Sequence, residues 1–593
     1  MNSLAAQLDQ LESAQLVRHL IEEEPAYTFR HTLTQEASYD SLLKNQRREI
    51  HRAVAQAYEK VYADRCLDEF AAILARHYAE AGDAEQTLVF ASHAGDVAAR
   101  VYANTEAIAF YSQALGIAKE RTDNAAKLIS LYTRLGRAYE LAADYPRALE
   151  IYREMETLGQ TRGERGLALE SLVLQTTAYA VGSGGVRNLD MASDASARAL
   201  ALAEELNDRQ AQSRIYWNLL LINRFGRENP SKAVEYGEKS LALARELGLT
   251  EQIALTLKDL MVAYVLTGKV ELAQANQAET LALWRQLNNT PMLAEALIGN
   301  SQHFFGLARL DESIQMGEES YALNQSIGNR HGLSLSGSFL WYPYRERGHF
   351  QQAIEIAEES ITIAEEMNFV GPQMHARVEL AATFDWLGDF MRATQYAERG
   401  RVPSVPHIFV QDIFARAVLA MVSLHHGNLA AATAWLPSES SEALEDKVQF
   451  NPAGASQLAC AHIELMIALG QAERAAAYAD EAIAFNRRRS RTVWLLPLWH
   501  LKSQALRALK RTDEAYAILN DAREQAEQIQ SRYRLLPILL TLLELETERG
   551  DTTQAQVRRD EARGVIQFIA DHTPPDLREI FLNKPDVHAA MTV

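Results

Sequence analysis

Apolar residues near the start of the chain fall at Leu4, Leu8, Leu11, Leu16, Leu20 and Ile21, a spacing that lays them along one face of a helix. A β-type run from Tyr27 to His31 interrupts this pattern. Thr32, followed three residues later by Gln35, has the spacing of a capping box for a second helix running through Leu43. From there the pattern is helical and it repeats. One small residue recurs at Ala107, Ala148, Ala192, Ala233, Ala273, Ser313, Ala353, Ala393, Ala432, Ala475, Ala515 and Ala555, in steps of 39 to 44 residues. A register held over that distance requires a structural unit of about forty residues, too short for a domain and long enough for two helices. Gly268, Gly348, Gly388, Gly470 and Gly550 each stand five residues before one of these positions, where a first helix has to end. The segments 495-LLPLW-499 and 535-LLPIL-539 echo each other, and each proline is expected in a first helical turn, which tolerates its missing N–H.

In 131-LYTRLGRAYELAADYPRALEIYREM-155, Leu135 and Gly136 are followed by Tyr139, Ala148 and Tyr152. This spacing resembles the tetratricopeptide repeat, a hairpin of two antiparallel helices whose small residues allow close approach and whose large ones fill the gap beside them. HEAT-type repeats share a period of about 40 to 47 residues, against about 34 for the usual tetratricopeptide unit. The Leu-Gly-x-x-Tyr signature favours the latter, with its helices lengthened by nearly a turn. The resemblance implies an all-α, right-handed superhelix of about a dozen hairpins, because each hairpin can bury its apolar stripe only against its neighbours. The stretches 182-GSGGV-186 and 436-LPSESSEALEDK-447 lengthen two connections.

Composition agrees with a helical array. A chain of 593 residues exceeds what one core supports, and its 15 prolines and 29 glycines are few for that length. The formal net charge of −19 sets up a field that repels phosphate backbones and anionic lipid, so neither nucleic acid nor membrane is an expected partner. Cys66 and Cys460 lie far apart, and no apolar run long enough to span a bilayer occurs, which points to a reduced, cytoplasmic protein.

The two ends carry a second resemblance. Phe29, Arg30 and His31, then Glu36, Ala37, Tyr39, Leu42 and Leu43, then Arg47, Arg48 and His51 resemble bacterial signal-transduction ATPases of the STAND class with MalT-like repeats. These include proteins fused to adenylate cyclase, kinase or transcription-factor domains. In that family the stretch joins a nucleotide-binding module to tetratricopeptide repeats. The run 574-PPDLREIFLNKPDVHAAM-591 is similar to the family's closing helix through Leu577, Arg578, Phe581, Leu582, Pro585 and Val587. The chain departs from the family in containing no G-x-x-x-x-G-K-[ST] phosphate loop. The resemblance therefore implies a remnant of a winged-helix linker domain over 1–62, a repeat superhelix over 63–570 and a capping segment over 571–593. The ATPase would lie outside this chain.

No catalytic constellation emerges, since no Ser-His-Asp or Cys-His grouping accompanies an elbow-like turn. His31 matches a family position near nucleotide phosphates; without the ATPase it reads as a structural histidine at a strand end. His425 and His426, adjacent and with no carboxylate three or four residues on, read as helix-end histidines facing a carbonyl dipole rather than metal ligands. The cluster 487-RRRSR-491 reads as a solvated helix end, and Gly182, Gly184 and Gly185 as a flexible loop. No metal or cofactor is expected.

In tetratricopeptide proteins the first helix of each hairpin lines the concave groove, through positions 15, 11 and 8 before the small residue. Transferring that spacing gives Asn218, Ile222 and Phe225; Lys258, Val262 and Val265; Ile298, Gln302 and Phe305; Ser338, Tyr342 and Arg345; Val378, Ala382 and Asp385, with Trp386 beside it. Asn218, Lys258, Gln302, Phe305, Tyr342, Arg345, Asp385 and Trp386 form the expected recognition strip, aromatics and amides with an Arg being what interfaces favour. Pro343 falls within it and is expected to kink its helix. The function implied is a non-catalytic sensor arm that holds a protein or peptide partner, or a small effector, in its groove. A free-standing adaptor, or the recognition subunit of a cyclase or kinase encoded elsewhere, are the alternatives.

Overall fold

The computed structural model describes residues 2–20, 26–62, 67–121, 124–182, 186–226, 229–367, 369–401, 409–436, 452–488 and 491–592. The chain divides into two compact units, Met1–Ala138 and Tyr139–Val593. Cys66, most of the 183–185 and 436–447 connections, and Arg489 with Ser490 lie outside the described residues.

The first unit opens with α1 (Asn2–Ser13), β1 (Val17–Leu20) and β2 (Ala26–Phe29), the strands antiparallel with Val17 opposite Phe29. This corrects the expected helix through Ile21. Gln15 adopts φ +58° and the Leu16 N–H turns back to Leu11 O, so the helix ends there and Leu20 belongs to a strand. Then follow α2 (Thr32–Asp40), α3 (Lys44–Val61), α4 (Ala71–Ala81), α5 (Ala84–Arg100), α6 (Asn104–Glu120) and α7 (Ala125–Leu141), the last crossing the division between units. The capping box expected at Thr32 does not form, because His31, with extended backbone, is the N-cap and has no side-chain bond. The Leu43 N–H is instead taken up by the next helix, donating to Gln46 Oε1 at 3.0 Å, and α2 stops short of Leu43.

Among the described residues of the second unit, α8 (Tyr145–Arg162) precedes ten helix pairs. They are α9 (Arg165–Val181) and α10 (Leu189–Glu205); α11 (Arg209–Gly226) and α12 (Pro230–Glu246); α13 (Thr250–Leu266) and α14 (Val270–Gln286); α15 (Thr290–Gly306) and α16 (Leu310–Ser326); α17 (Arg330–Arg347) and α18 (Phe350–Glu366). The array continues with α19 (Val370–Leu387) and α20 (Phe390–Arg399); α21 (Phe409–His425) and α22 (Leu429–Trp435); α23 (Pro452–Ala468) and α24 (Ala472–Arg488); α25 (Leu495–Ala508) and α26 (Thr512–Gln528); α27 (Arg532–Arg549) and α28 (Thr552–Asp571). Two short helices, α29 (Pro575–Leu582) and α30 (Pro585–Thr592), close it.

The periodic small residue is the fourth residue of the second helix in every pair, and it is buried each time. The five helix-ending glycines all adopt left-handed backbone, φ +74° to +93°, which lets the chain reverse into the second helix. Where serine replaces alanine the close approach gains hydrogen bonds. Ser301 and Ser313 each donate to the other's carbonyl, at 2.7 and 2.8 Å, and Ser213 with Ser240, and Ser334 with Ser360, do the same. Each buried hydroxyl thus satisfies itself while pinning two helices together.

α17 runs unbroken through Pro343. Pro497 lies in the first turn of α25 as expected, but Pro537 is the sixth residue of α27, because Ser531 caps that helix a turn earlier than its apolar pattern suggested. Within this unit the array also folds back on itself. Ser531 Oγ donates to Glu346 Oε2 at 2.6 Å, the Gln351 N–H to His572 O at 2.7 Å, and Arg392 to Asp576 at 2.7 Å, joining residues more than 180 positions apart.

Candidate functional site

The predicted strip residues all lie on the first helices of successive pairs, α11 to α19, of which α11 packs on α13, α15 on α17 and α17 on α19. Asn218 is buried and accepts from Thr177 Oγ1 at 2.8 Å while donating to Val173 O at 3.0 Å, holding α11 to α9. Lys258 pairs with Glu295 of α15. Burial opposes its charge, but Asp259 and Glu295 outweigh that and hold its pKa above the usual lysine value. Asp259 in turn accepts from Trp217 Nε1 at 2.8 Å and Arg224 at 2.6 Å, so α11, α13 and α15 are linked by ion pairs. Gln302 is exposed; the side chain of Phe225 lies outside the described residues.

The structure brings Phe305, Tyr342 and Arg345 together. The Phe305 ring lies 5.3 Å from Tyr342 and stands edge-on to Trp494 at 5.7 Å. The Tyr342 hydroxyl donates to Glu379 Oε1 at 3.0 Å and lies 3.1 Å from His375 Nε2, while Gln457 also donates to Glu379 at 2.9 Å. Arg345 is 1% exposed, with its guanidinium 4.4 Å from the Trp341 ring and 4.7 Å from Tyr533. It faces Glu379 at 3.6 Å, and its Nε and Nη1 find no hydrogen-bond acceptor among the described residues. Burial of a cation here is sustained by aromatic faces and one carboxylate.

Asp385 and Trp386 lie one pair further on. Trp386 stacks between Phe350 and Phe581, and its carbonyl accepts from Lys584 at 2.8 Å. Asp385 Oδ1 lies 3.0 Å from His425 Nδ1, and His425 Nε2 lies 3.6 Å from Glu464. His425 is the last residue of its helix, as expected, but what faces it is a pair of carboxylates rather than the carbonyl dipole. Burial works against its charge, yet hydrogen bonds and attraction from the two carboxylates win, and its pKa is raised to about 10. Its partners belong to the neighbouring pairs α19 and α23, where no spacing along α21 could reveal them. His426 packs against Phe390 at 4.5 Å between ring centres. In the basic cluster Arg487 and Arg488 are exposed, but Arg491 is buried rather than solvated.

Sequence reasoning missed Glu379, Glu464, Trp494 and Tyr533, and it missed the partners of His425. The same offset of eleven, carried forward from Ala475, would have reached Glu464. Trp494 and Tyr533 come from the fold-back and have no local signal. Among the described residues no group of three or more His, Cys, Asp or Glu could hold a metal ion, and no helix is long and apolar enough to cross a membrane. Cys460 is buried as a free thiol, its pKa pushed up to about 12 by burial.

Residues 221–558 match the MalT-like TPR region. No curated protein matches the sequence. Among solved structures, the chain is similar to a Signal Transduction ATPase with Numerous Domains carrying a tetratricopeptide repeat sensor from Pyrococcus horikoshii, at 16% identity and a TM-score of 0.39 over 69% of this chain. It spans 60% of that protein's length. It is also similar to the APC/C hetero-tetramer Cut9-Hcn1, at 15% identity and a TM-score of 0.43, over 95% of this chain and 99% of that one.

Proposed function

This chain belongs to the family of MalT-like TPR regions, and from that premise we propose that it is a non-catalytic scaffold arm that holds a protein or peptide partner along its first helices and relays occupancy to a linked signal-transduction ATPase. The observation that carries the reading is the run of polar and aromatic side chains at equivalent positions of consecutive first helices, from Lys258 and Gln302 to Tyr342, Arg345, Asp385 and Trp386. Outward-facing members such as Gln302 and the half-buried Lys258 offer a partner direct contact, while the buried members fix the shape beneath them. The N-terminal segment 1–62 would be the link to the switch, 63–570 the arm and 571–593 its cap. The chain would work without a cofactor in the cytoplasm.

The test is capture of binding partners by the full chain, with mass spectrometry, followed by titration of the recovered partner. Gln302→Ala and Lys258→Ala should each weaken binding by about 1 kcal/mol or more, as interface anchors do. Arg488→Ala should change only its salt dependence. Loss of binding in Arg488→Ala alone would move recognition off the strip.

A further inference from the structure

A cleft opens where the array folds back, between the end of α26 and the facing sides of α27 and α28. Its volume is about 380 Å³, within the range of about 300 to 1,000 Å³ that small-molecule sites occupy. Leu535, Leu539, Val565 and Phe568 give it an apolar lining, and Gly564 leaves room in it, since a Cβ added there would meet nothing within 4 Å. The remaining lining residues are charged: Glu527, Arg532 and Glu561. Both carboxylates are already neutralised on their own helices, Glu527 by Arg523 at 2.6 Å and Glu561 by Arg558 at 2.7 Å. Arg532 has no such partner. Its one hydrogen bond among the described residues runs from Nη1 to Arg347 O at 3.2 Å. That leaves Nε and Nη2, the edge of a guanidinium that meets a carboxylate side-on with two parallel bonds.

The position of this cation is fixed. Its guanidinium carbon stands 3.7 Å from the centre of the Phe568 ring, which itself stacks on His572 at 4.1 Å and meets His349 edge-on at 5.4 Å. Arg532 is held below the usual arginine value first by burial and then by Arg347, with no carboxylate working the other way. His349 beside it is lowered by burial and then by His572, Arg532 and Arg347. The field around Arg532 is therefore positive, in a chain whose formal net charge is −19. A cation with a free edge on an apolar wall selects an anion that carries an apolar body. The anion satisfies the guanidinium, and the body takes the leucine and valine surface out of water. An uncharged apolar molecule would cover that edge and leave its N–H groups without an acceptor.

We propose that this cleft is a binding site for a small monocarboxylate with an apolar chain, its carboxylate paired side-on with Arg532 and its chain lying over Leu535, Leu539 and Val565. None of the lining residues belongs to the strip on α11 to α19, and the proposal does not depend on what that strip binds. The test is calorimetric titration of the full chain with octanoate, which should bind saturably. Octylamine, a chain of the same length with the opposite charge, should bind at least about tenfold more weakly. Arg532→Gln should weaken octanoate binding by about tenfold or more, the loss expected of a charge-assisted pair. Gly564→Leu puts a side chain into the cleft while leaving Arg532 in place, and leucine suits the interior of α28 better than glycine, so it should weaken binding by a similar factor. Circular dichroism checks that both variants fold. Absence of saturable octanoate binding overturns the proposal, as does equal binding of octylamine or full affinity for octanoate in either variant.

Discussion

His425 is the residue whose role changed most between sequence and structure, and its charge has a consequence for stability. Its folded pKa of about 10 lies above the ordinary 6.5, so the protein binds this proton more tightly folded than unfolded. The stabilisation is therefore complete below pH 6.5 and is lost as pH rises towards 10. The melting temperature of the wild type should fall across that window. In His425→Gln the fall should be shallower, because the ionisable partner of Asp385 and Glu464 is gone. Melts at pH 6 and 9.5 check this, and a parallel decline in both proteins would mean that other groups control it.

At the scale of elements, the turn between paired helices is set by a left-handed residue, and its surroundings decide how replaceable it is. Gly348 has φ +87°, and an added Cβ would stand 3.3 Å from both Arg532 Cβ and Ile569 Cγ1 in the fold-back. Gly470 has φ +74° with open space around it. Gly470→Ala should cost about 1 kcal/mol, the backbone penalty alone. Gly348→Ala should cost more, because α27 and α28 must shift as well. Urea unfolding of the two variants separates the contributions; equal losses would mean that the fold-back yields freely. The reciprocal serine pairs belong to this scale too, since their buried hydroxyls need both partners.

For the second unit as a whole, pairs that touch only their neighbours can be removed in whole units. Deleting residues 250–289, the pair α13 and α14, should leave a folded array with a cooperative melt. Deleting 270–289 should not, because α13 would lose its partner. Deleting 472–511, also a unit of forty, should be the more damaging of the two long deletions. It draws Ser531 and Arg534 away from Glu346, a buried carboxylate that both contact. Circular dichroism melts decide the order, and equal effects of the two long deletions would show that the fold-back adds little.

The period of small residues, the turn glycines and the Leu-Gly-x-x-Tyr spacing were enough to write the hairpin repeat. Each is a local requirement: a helix pair cannot close unless the chain reverses at a fixed point and a small side chain sits at the crossing. The strip positions were legible for the same reason, being a fixed offset along one helix. What the local pattern could not supply was the company these positions keep. Arg345 meets Tyr533, Glu346 meets Ser531 and His425 meets Asp385 and Glu464 only because stacking and fold-back bring distant helices to the same place. Burial and ionisation depend on that neighbourhood, since the cost of desolvating a charge is set by whatever surrounds it. The helices and their order were therefore determined along the chain, while the pairing and charge of His425 and the burial of Arg345 were decided by the tertiary structure.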